Sequence, residues 1–135
     1  MDSAHPNAAL LRTLYADLTR IAEYAADDIV YHPAERDTPE GAPDLHGKAA
    51  VTAKEQALAR ATEGTLRADI ESVVANDHFG AVLGVFHARP GDQVIAMPFC
   101  GLWRFRDGRV TDHWQNAYDP SAMVRALTRA TATRS

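Results

Sequence analysis

The spacing of apolar positions changes character twice along the chain. From Asn7 to Ala26 the apolar residues Leu10, Leu11, Leu14, Leu18, Ile21, Ala22 and Ala25 recur every three or four positions, which predicts a helix. Pro6 suits its start, where a missing amide donor costs nothing. Asp17 and Thr19 offer side-chain oxygens to a new helix start and predict a break into two shorter pieces. Tyr15 lies on the apolar stripe beside Leu11 and Leu18, so its hydroxyl points inward and needs a partner. Asp27-Asp28 reads as a solvated turn closing the helix. Ile29-Val30-Tyr31-His32 is then a short β-branched and aromatic strand stopped by Pro33. Residues 34–46 are polar and hold two prolines and a glycine, a loop long enough to serve as a lid. Gly47 to Thr62, rich in Ala, Lys, Glu and Gln, is a second helix ending before Gly64.

From Thr65 the period falls to two. Leu66, Ala68, Ile70, Ser72 and Val74 alternate with Arg67, Asp69 and Glu71, describing a strand wet on one side. After a turn at 76–78, Phe79 to Ala88 is a strand in which Gly80 and Gly84 are expected to mark bends or bulges. A turn at 89–92 leads into the most distinctive stretch, Gln93 to Tyr118. There two β-rich runs flank Asp107-Gly108, a pair suited to the positive φ angles of a type I′ hairpin. The first run sets Ile95, Met97, Phe99, Gly101, Trp103 and Phe105 on one face, an apolar and aromatic wall with one bare spot. Its other face carries Val94, Ala96, Pro98, Cys100 and Leu102, more apolar than a wet surface requires. The second run offers His113, Trp114, Gln115 and Asn116. Polar groups set into an apolar wall suit a small-molecule pocket. A C-terminal helix begins at Asp119-Pro120-Ser121 with Met123, Val124 and Leu127 as its stripe, and the tail from Arg129 is expected to fray.

The order is helix, short strand, helix, then four consecutive antiparallel strands. Helices gathered on one face of a curved antiparallel sheet give an α+β fold, a cone with a cavity inside. At 135 residues, with 46% hydrophobic and 24% charged residues, this is expected to be one domain with its own core. The net charge of −4 and the lack of any Lys/Arg cluster leave no footprint for nucleic acid. The single cysteine, Cys100, excludes an intramolecular disulfide, and its apolar neighbours suit a buried, inert thiol. No apolar run approaches the ~20 residues of a membrane span. The start M-D-S-A-H-P does not resemble a signal peptide, and a cytoplasmic protein is the expectation. No H-x-H, H-x3-H or C-x2-C spacing and no G-x-G-x-x-G or phosphate-binding loop is present, so neither a metal nor a cofactor is expected.

Four motifs in order resemble the nuclear transport factor 2-like superfamily, in its SnoaL-like polyketide cyclase and ketosteroid isomerase branch. They are residues 25–33 (A-A-D-D-I-V-Y-H-P), 45–50 (L-H-G-K-A-A), 102–110 (L-W-R-F-R-D-G-R-V) and 112–114 (D-H-W), and the resemblance covers about residues 8–128. It implies a cone-shaped sheet wrapped on N-terminal helices, the cystatin-like roll. In the isomerases the residue before the proline ending the first strand is a carboxylate base; here it is His32. Tyr15 is similar to the first-helix tyrosine that donates to the substrate oxygen. The isomerases' second oxyanion acid falls on Gly101, as does a histidine of the cyclases, and the cyclases' aspartate base falls on Gln115; this chain has none of the three.

An imidazole holds and releases a proton near neutral pH, so His32 is the expected general base. Tyr15, His113 or Gln115 would then hydrogen-bond a developing enolate, with Met97, Phe99, Gly101, Trp103, Trp114 and Gln115 as substrate-binding surface. Which face of the last strand looks inward is a matter of register. A regular two-residue turn pairs Gly101 with Trp114 and turns Trp114 inward. The family's use of the Gln115 position requires a bulge that inverts the strand, and the bulged register is preferred. The expected function is a cofactor-independent isomerase, cyclase or dehydratase of a hydrophobic, carbonyl-bearing small molecule, polyketide- or terpenoid-like. The alternative is a non-catalytic binding or dimerisation module. The apolar outer face at Val94, Ala96, Cys100 and Leu102 predicts a homodimer.

Overall fold

The computed structural model describes residues 4–134; Met1 to Ser3, which enter the expectation about a leader, lie outside the described residues. Helix α1 spans Pro6–Ala16 and stops where Asp17 turns extended; the Asp17 carboxylate then accepts from the Thr19 amide at 3.1 Å and starts a short 3-10 helix, Leu18–Glu23. The break thus falls where Asp17 and Thr19 predict it. Strand β1 is longer than expected, Ala25–His32, because residues 25–28 are strand rather than helix end and turn. Asp27 and Asp28 are exposed there and pair with Lys48 at 3.2 Å and Arg106 at 2.9 Å. A 3-10 turn (Ala34–Asp37) and a two-residue strand β2 (Leu45–His46) precede α2, Lys48–Ala61. Strands β3 (Arg67–Ala75), β4 (Phe79–Ala88), β5 (Ile95–Arg106) and β6 (Arg109–Ala117) form a meander, and α3 runs from Pro120 to Arg134. The tail from Arg129 therefore continues as helix instead of fraying.

The six strands make one open sheet in the order β2-β1-β6-β5-β4-β3, with α1 and α2 packed on its inner face, an α+β roll. Its pairs are antiparallel except β1 with β6, which run parallel and set Tyr31 beside His113 and His32 beside Trp114. This pairing of residues as far apart as His32 and Trp114 has no local signal, and it decides which side chains share a face. The β5–β6 turn has positive φ at Asp107 (52°) and Gly108 (77°), the type I′ geometry those residues favour. Just beyond it the register shifts: Phe105 pairs with Val110 but Arg104 with Asp112, leaving Thr111 as the extra residue of a bulge. Its hydroxyl accepts from Arg104 Nε at 2.9 Å.

The bulge turns His113 and Gln115 inward and Asp112, Trp114 and Asn116 outward, with Trp103 opposite His113 and Gly101 opposite Gln115. A second bulge lies on β3 between Ile70 and Ser72, across from Gly84, so the bend belongs to the partner strand and Gly84 supplies room for the Asp69 carbonyl and the Phe99 ring. The core within the cone joins Leu11, Leu14, Ile29, Val51, Val82, Phe99, Trp103 and Phe105. A smaller apolar cluster fastens α3, through Met123 and Leu127, to Ala88, Ile95 and Met97.

Candidate functional site

Strand alternation divides the expected site residues between the two faces of the sheet. Tyr31 is buried on the inner face; His32, one residue on, emerges on the outer face. There His32 Nε2 lies 3.0 Å from Asp112 Oδ2 and Nδ1 lies 3.0 Å from Asp44 Oδ2, while its ring stacks on Trp114 at 4.8 Å. Asp112 is held in turn by Arg104 at 2.8 Å. Both imidazole nitrogens are thus occupied by carboxylates, and the residue ties the end of the 38–44 loop to the sheet. His32 does not share a cavity with Tyr15 or His113. Trp114, expected as substrate-binding surface, also faces outward, where it borders an open groove of about 650 Å³ with Leu102, Phe79 and Val74.

The inner wall of the hairpin is core rather than free pocket surface. Trp103 is fully buried, Phe99 stacks on Phe86 at 4.0 Å, and Met97 packs under α3. Tyr15 lies over Gly101, where an added Cβ would collide with its hydroxyl, so the bare spot in the wall accommodates that ring. The Tyr15 hydroxyl accepts a hydrogen bond from Trp103 Nε1 at 3.2 Å, and burial holds its pKa above the ordinary value. Tyr15 and His113 are joined through Trp103, whose indole stacks on the His113 ring at 3.6 Å and 8°.

His113 is 1% exposed, and neither ring nitrogen has a hydrogen-bond partner of good geometry among the described residues. Burial pushes it down to about 3, with a smaller upward pull from the Gln115 side chain and further lowering by the charges of His32 and Arg36. It is therefore a neutral imidazole at physiological pH, with one nitrogen able to donate and the other to accept. Beside it lies a small cavity of about 50 Å³, room for one or two waters. Tyr31, Glu55, His113 and Gln115 give it polar walls, and Leu58, Phe86, Met123 and Leu127 give it apolar ones. Met123 and Leu127 bring α3 against it, and the Lys54–Glu35 pair, 3.8 Å apart, stands among its lining residues.

The sequence reading missed two residues here. Tyr31 passes as an ordinary strand aromatic, yet burial raises its pKa well above the usual value and it lines the cavity beside His113. Glu55 passes as a solvated residue of an Ala/Lys/Glu-rich helix. It is 5% exposed, without a hydrogen bond or ion pair among the described residues, and burial pushes its carboxyl up to about 7 against the pull of Lys54. The one available signal was its place four residues after Val51, which is fully buried on the same helix face. No group of three or more His, Cys, Asp or Glu among the described residues could hold a metal ion, and no helix is long and apolar enough to cross a membrane.

The model of the SnoaL-like domain matches residues 12–113. Among solved structures, Bal32a from a soil-derived mobile gene cassette superposes with a TM-score of 0.77 at 24% identity, covering 90% of this chain and 95% of its own. TerC, co-crystallised with polyporic acid, gives 0.72 at 18% identity over 92% and 99% of the two chains. IdmH from Streptomyces antibioticus, a proposed polyketide cyclase, gives 0.69 at 18% over 95% and 99%. At these identities the likeness establishes the fold alone. A search of curated proteins found no match. With the matched region spanning most of the chain, from α1 to the centre of β6, the protein belongs to the SnoaL-like domain family.

Proposed function

We propose that the protein is a cofactor-independent isomerase, cyclase or dehydratase that handles a hydrophobic carbonyl compound in the chamber on the inner face of the sheet. The observation that carries this reading is His113: a buried, neutral imidazole whose nitrogens hold no well-aligned hydrogen bond beyond a weak approach from the Gln115 side chain, at the wall of a cavity that Tyr31 and Gln115 also line. Leaving buried polar groups unpaired costs about 1–3 kcal/mol each, a cost that a ligand supplying the partners would offset. A carbonyl oxygen fits that requirement, because Tyr31, the Gln115 amide and one His113 nitrogen can all donate to it. As negative charge grows on that oxygen during enolisation, donors in a dry site stabilise it more than water would. The apolar walls favour a hydrocarbon-rich substrate, and neighbours that include a proposed polyketide cyclase are consistent with that class. Because the cavity holds only one or two waters, any carbonyl substrate enters by displacing Met123 and Leu127, the α3 side chains in its wall. His32, the base suggested by the family resemblance, is no part of this reading, because it is saturated on the opposite face.

The test is turnover of a panel of polyketide-like β-diketones and cyclic enones by the wild type and by His113→Leu and Gln115→Leu. Loss of turnover in both variants with retained folding supports the reading. Ligand binding without turnover in the wild type would favour a binding module instead. The outer face belongs to the same reading as a homodimer surface: Val74, Phe79, Leu83 and Leu102 are exposed there to between 42% and 56%. A one-chain mass by light scattering would remove that part.

A further inference from the structure

Glu55 lines two cavities. One is the chamber of Tyr31, His113 and Gln115; the other, about 180 Å³, is also lined by Tyr15, Asp17, Thr19 and Arg67 under the first 3-10 helix. Leu18, Leu66 and Phe86 border both, so the carboxyl stands in a shared apolar partition. A carboxyl so placed, with no hydrogen bond or ion pair among the described residues, is costly to fold around unless it serves a ligand or a proton.

We infer that Glu55 takes up and returns the substrate proton in the chamber, and that the second cavity is its path to solvent; this rests on the reading of the chamber given above. The Glu55 carboxylate accepts the proton from the carbon next to the carbonyl. The C–H electron pair becomes the C=C bond of the enolate while the carbonyl π pair moves to oxygen, which Tyr31, Gln115 and His113 hold. Glu55, now a carboxylic acid, returns the proton to carbon for isomerisation or exchanges it with water through the second cavity.

The groups facing Glu55 agree with this role. Lys54 is on its own helix, Tyr31 on β1, Tyr15 on α1, Glu35 on the second 3-10 turn and His113 on β6, with Asp17 and Arg67 across the second cavity. Burial raises the carboxyl to about 7 and outweighs the Lys54 charge, which draws it towards its ionised form, so both protonation states are present near neutral pH. That is the condition for a group that must both accept and donate.

The experiment uses small apolar ketones, from acetone to cyclohexanone, in deuterated buffer. Proton NMR follows exchange at the carbon next to the carbonyl, and chemical-shift mapping follows binding. The wild type is expected to accelerate exchange, Glu55→Gln to lower the rate by about a hundredfold or more with binding unchanged, and Glu55→Asp to restore part of it. Binding at Tyr31 and Gln115 with exchange undiminished in Glu55→Gln would overturn the role of Glu55 and leave the chamber standing. Neither binding nor exchange in the wild type would overturn the chamber and Glu55 with it.

Discussion

Glu55 and His113 have displaced titrations of opposite sense, and together they shape stability against pH. A buried carboxyl held up at about 7, against an ordinary 4.5, is protonated in the folded chain while the unfolded chain ionises. Its contribution is full below 4.5 and is lost as pH rises through 7, about 3 kcal/mol in all. His113 is held down at about 3, against 6.5, so its contribution is present above 6.5 and is lost as pH falls through 3, about 5 kcal/mol. The two slopes oppose each other between 4.5 and 6.5. Denaturant midpoints are therefore expected to rise from pH 3 to 4.5, stay level to 6.5 and drop slightly to 7. In Glu55→Gln they should climb throughout to 6.5 with no later drop. A variant curve parallel to the wild type would show that Glu55 titrates normally.

Gly101 gives a second expectation at this scale. Because the Tyr15 ring occupies the place of its side chain, Gly101→Ala should cost about 1–3 kcal/mol by overpacking. Unchanged stability, measured by urea unfolding, would mean that Tyr15 is free to move aside.

At the scale of elements, one extra residue decides which side chains of β6 line the inner cavity. Thr111 inverts β6 so that His113 faces the chamber, and the parallel docking of β1 leaves Tyr31 inside and His32 outside. His32→Ala is accordingly expected to keep turnover while losing about 1–3 kcal/mol of stability, as Asp44 and Asp112 lose their shared partner. An inactive but well-folded His32→Ala would return the chemistry to the outer face. Helix α3 closes the chamber with two side chains on a small satellite cluster. Leu127→Ala should favour bulkier ketones over acetone in the exchange assay, and no shift in that ratio would show that entry lies elsewhere.

Across the whole molecule, much of what is local was legible, although residues 25–28 were read as helix end and turn where the structure has strand. The helix break at Asp17, the Asp107-Gly108 turn and the alternation along β5 follow from neighbours in sequence and appear in the structure. The inward turn of His113 and Gln115 was legible too, because the family's use of that position demanded a bulge. What escaped was set by contacts distant in sequence. The β1–β6 pairing, the filling of the Gly101 gap by Tyr15 and the burial of Glu55 depend on elements far apart along the chain. A helix whose polar residues all look solvated gives no sign that one of them is enclosed. The two faces also differ at this scale: the inner encloses a small cavity lined by Tyr31, Glu55, His113 and Gln115, and the outer exposes apolar side chains such as Val74, Phe79, Leu83 and Leu102.

The proposal that the site lies on the inner face is tested most directly by ring signals. With histidine and tryptophan labelled by 15N and a small apolar ketone added, the His113 ring nitrogens are expected to move while those of His32 and the Trp114 indole stay in place. Movement of His32 and Trp114 with His113 unaffected would contradict it.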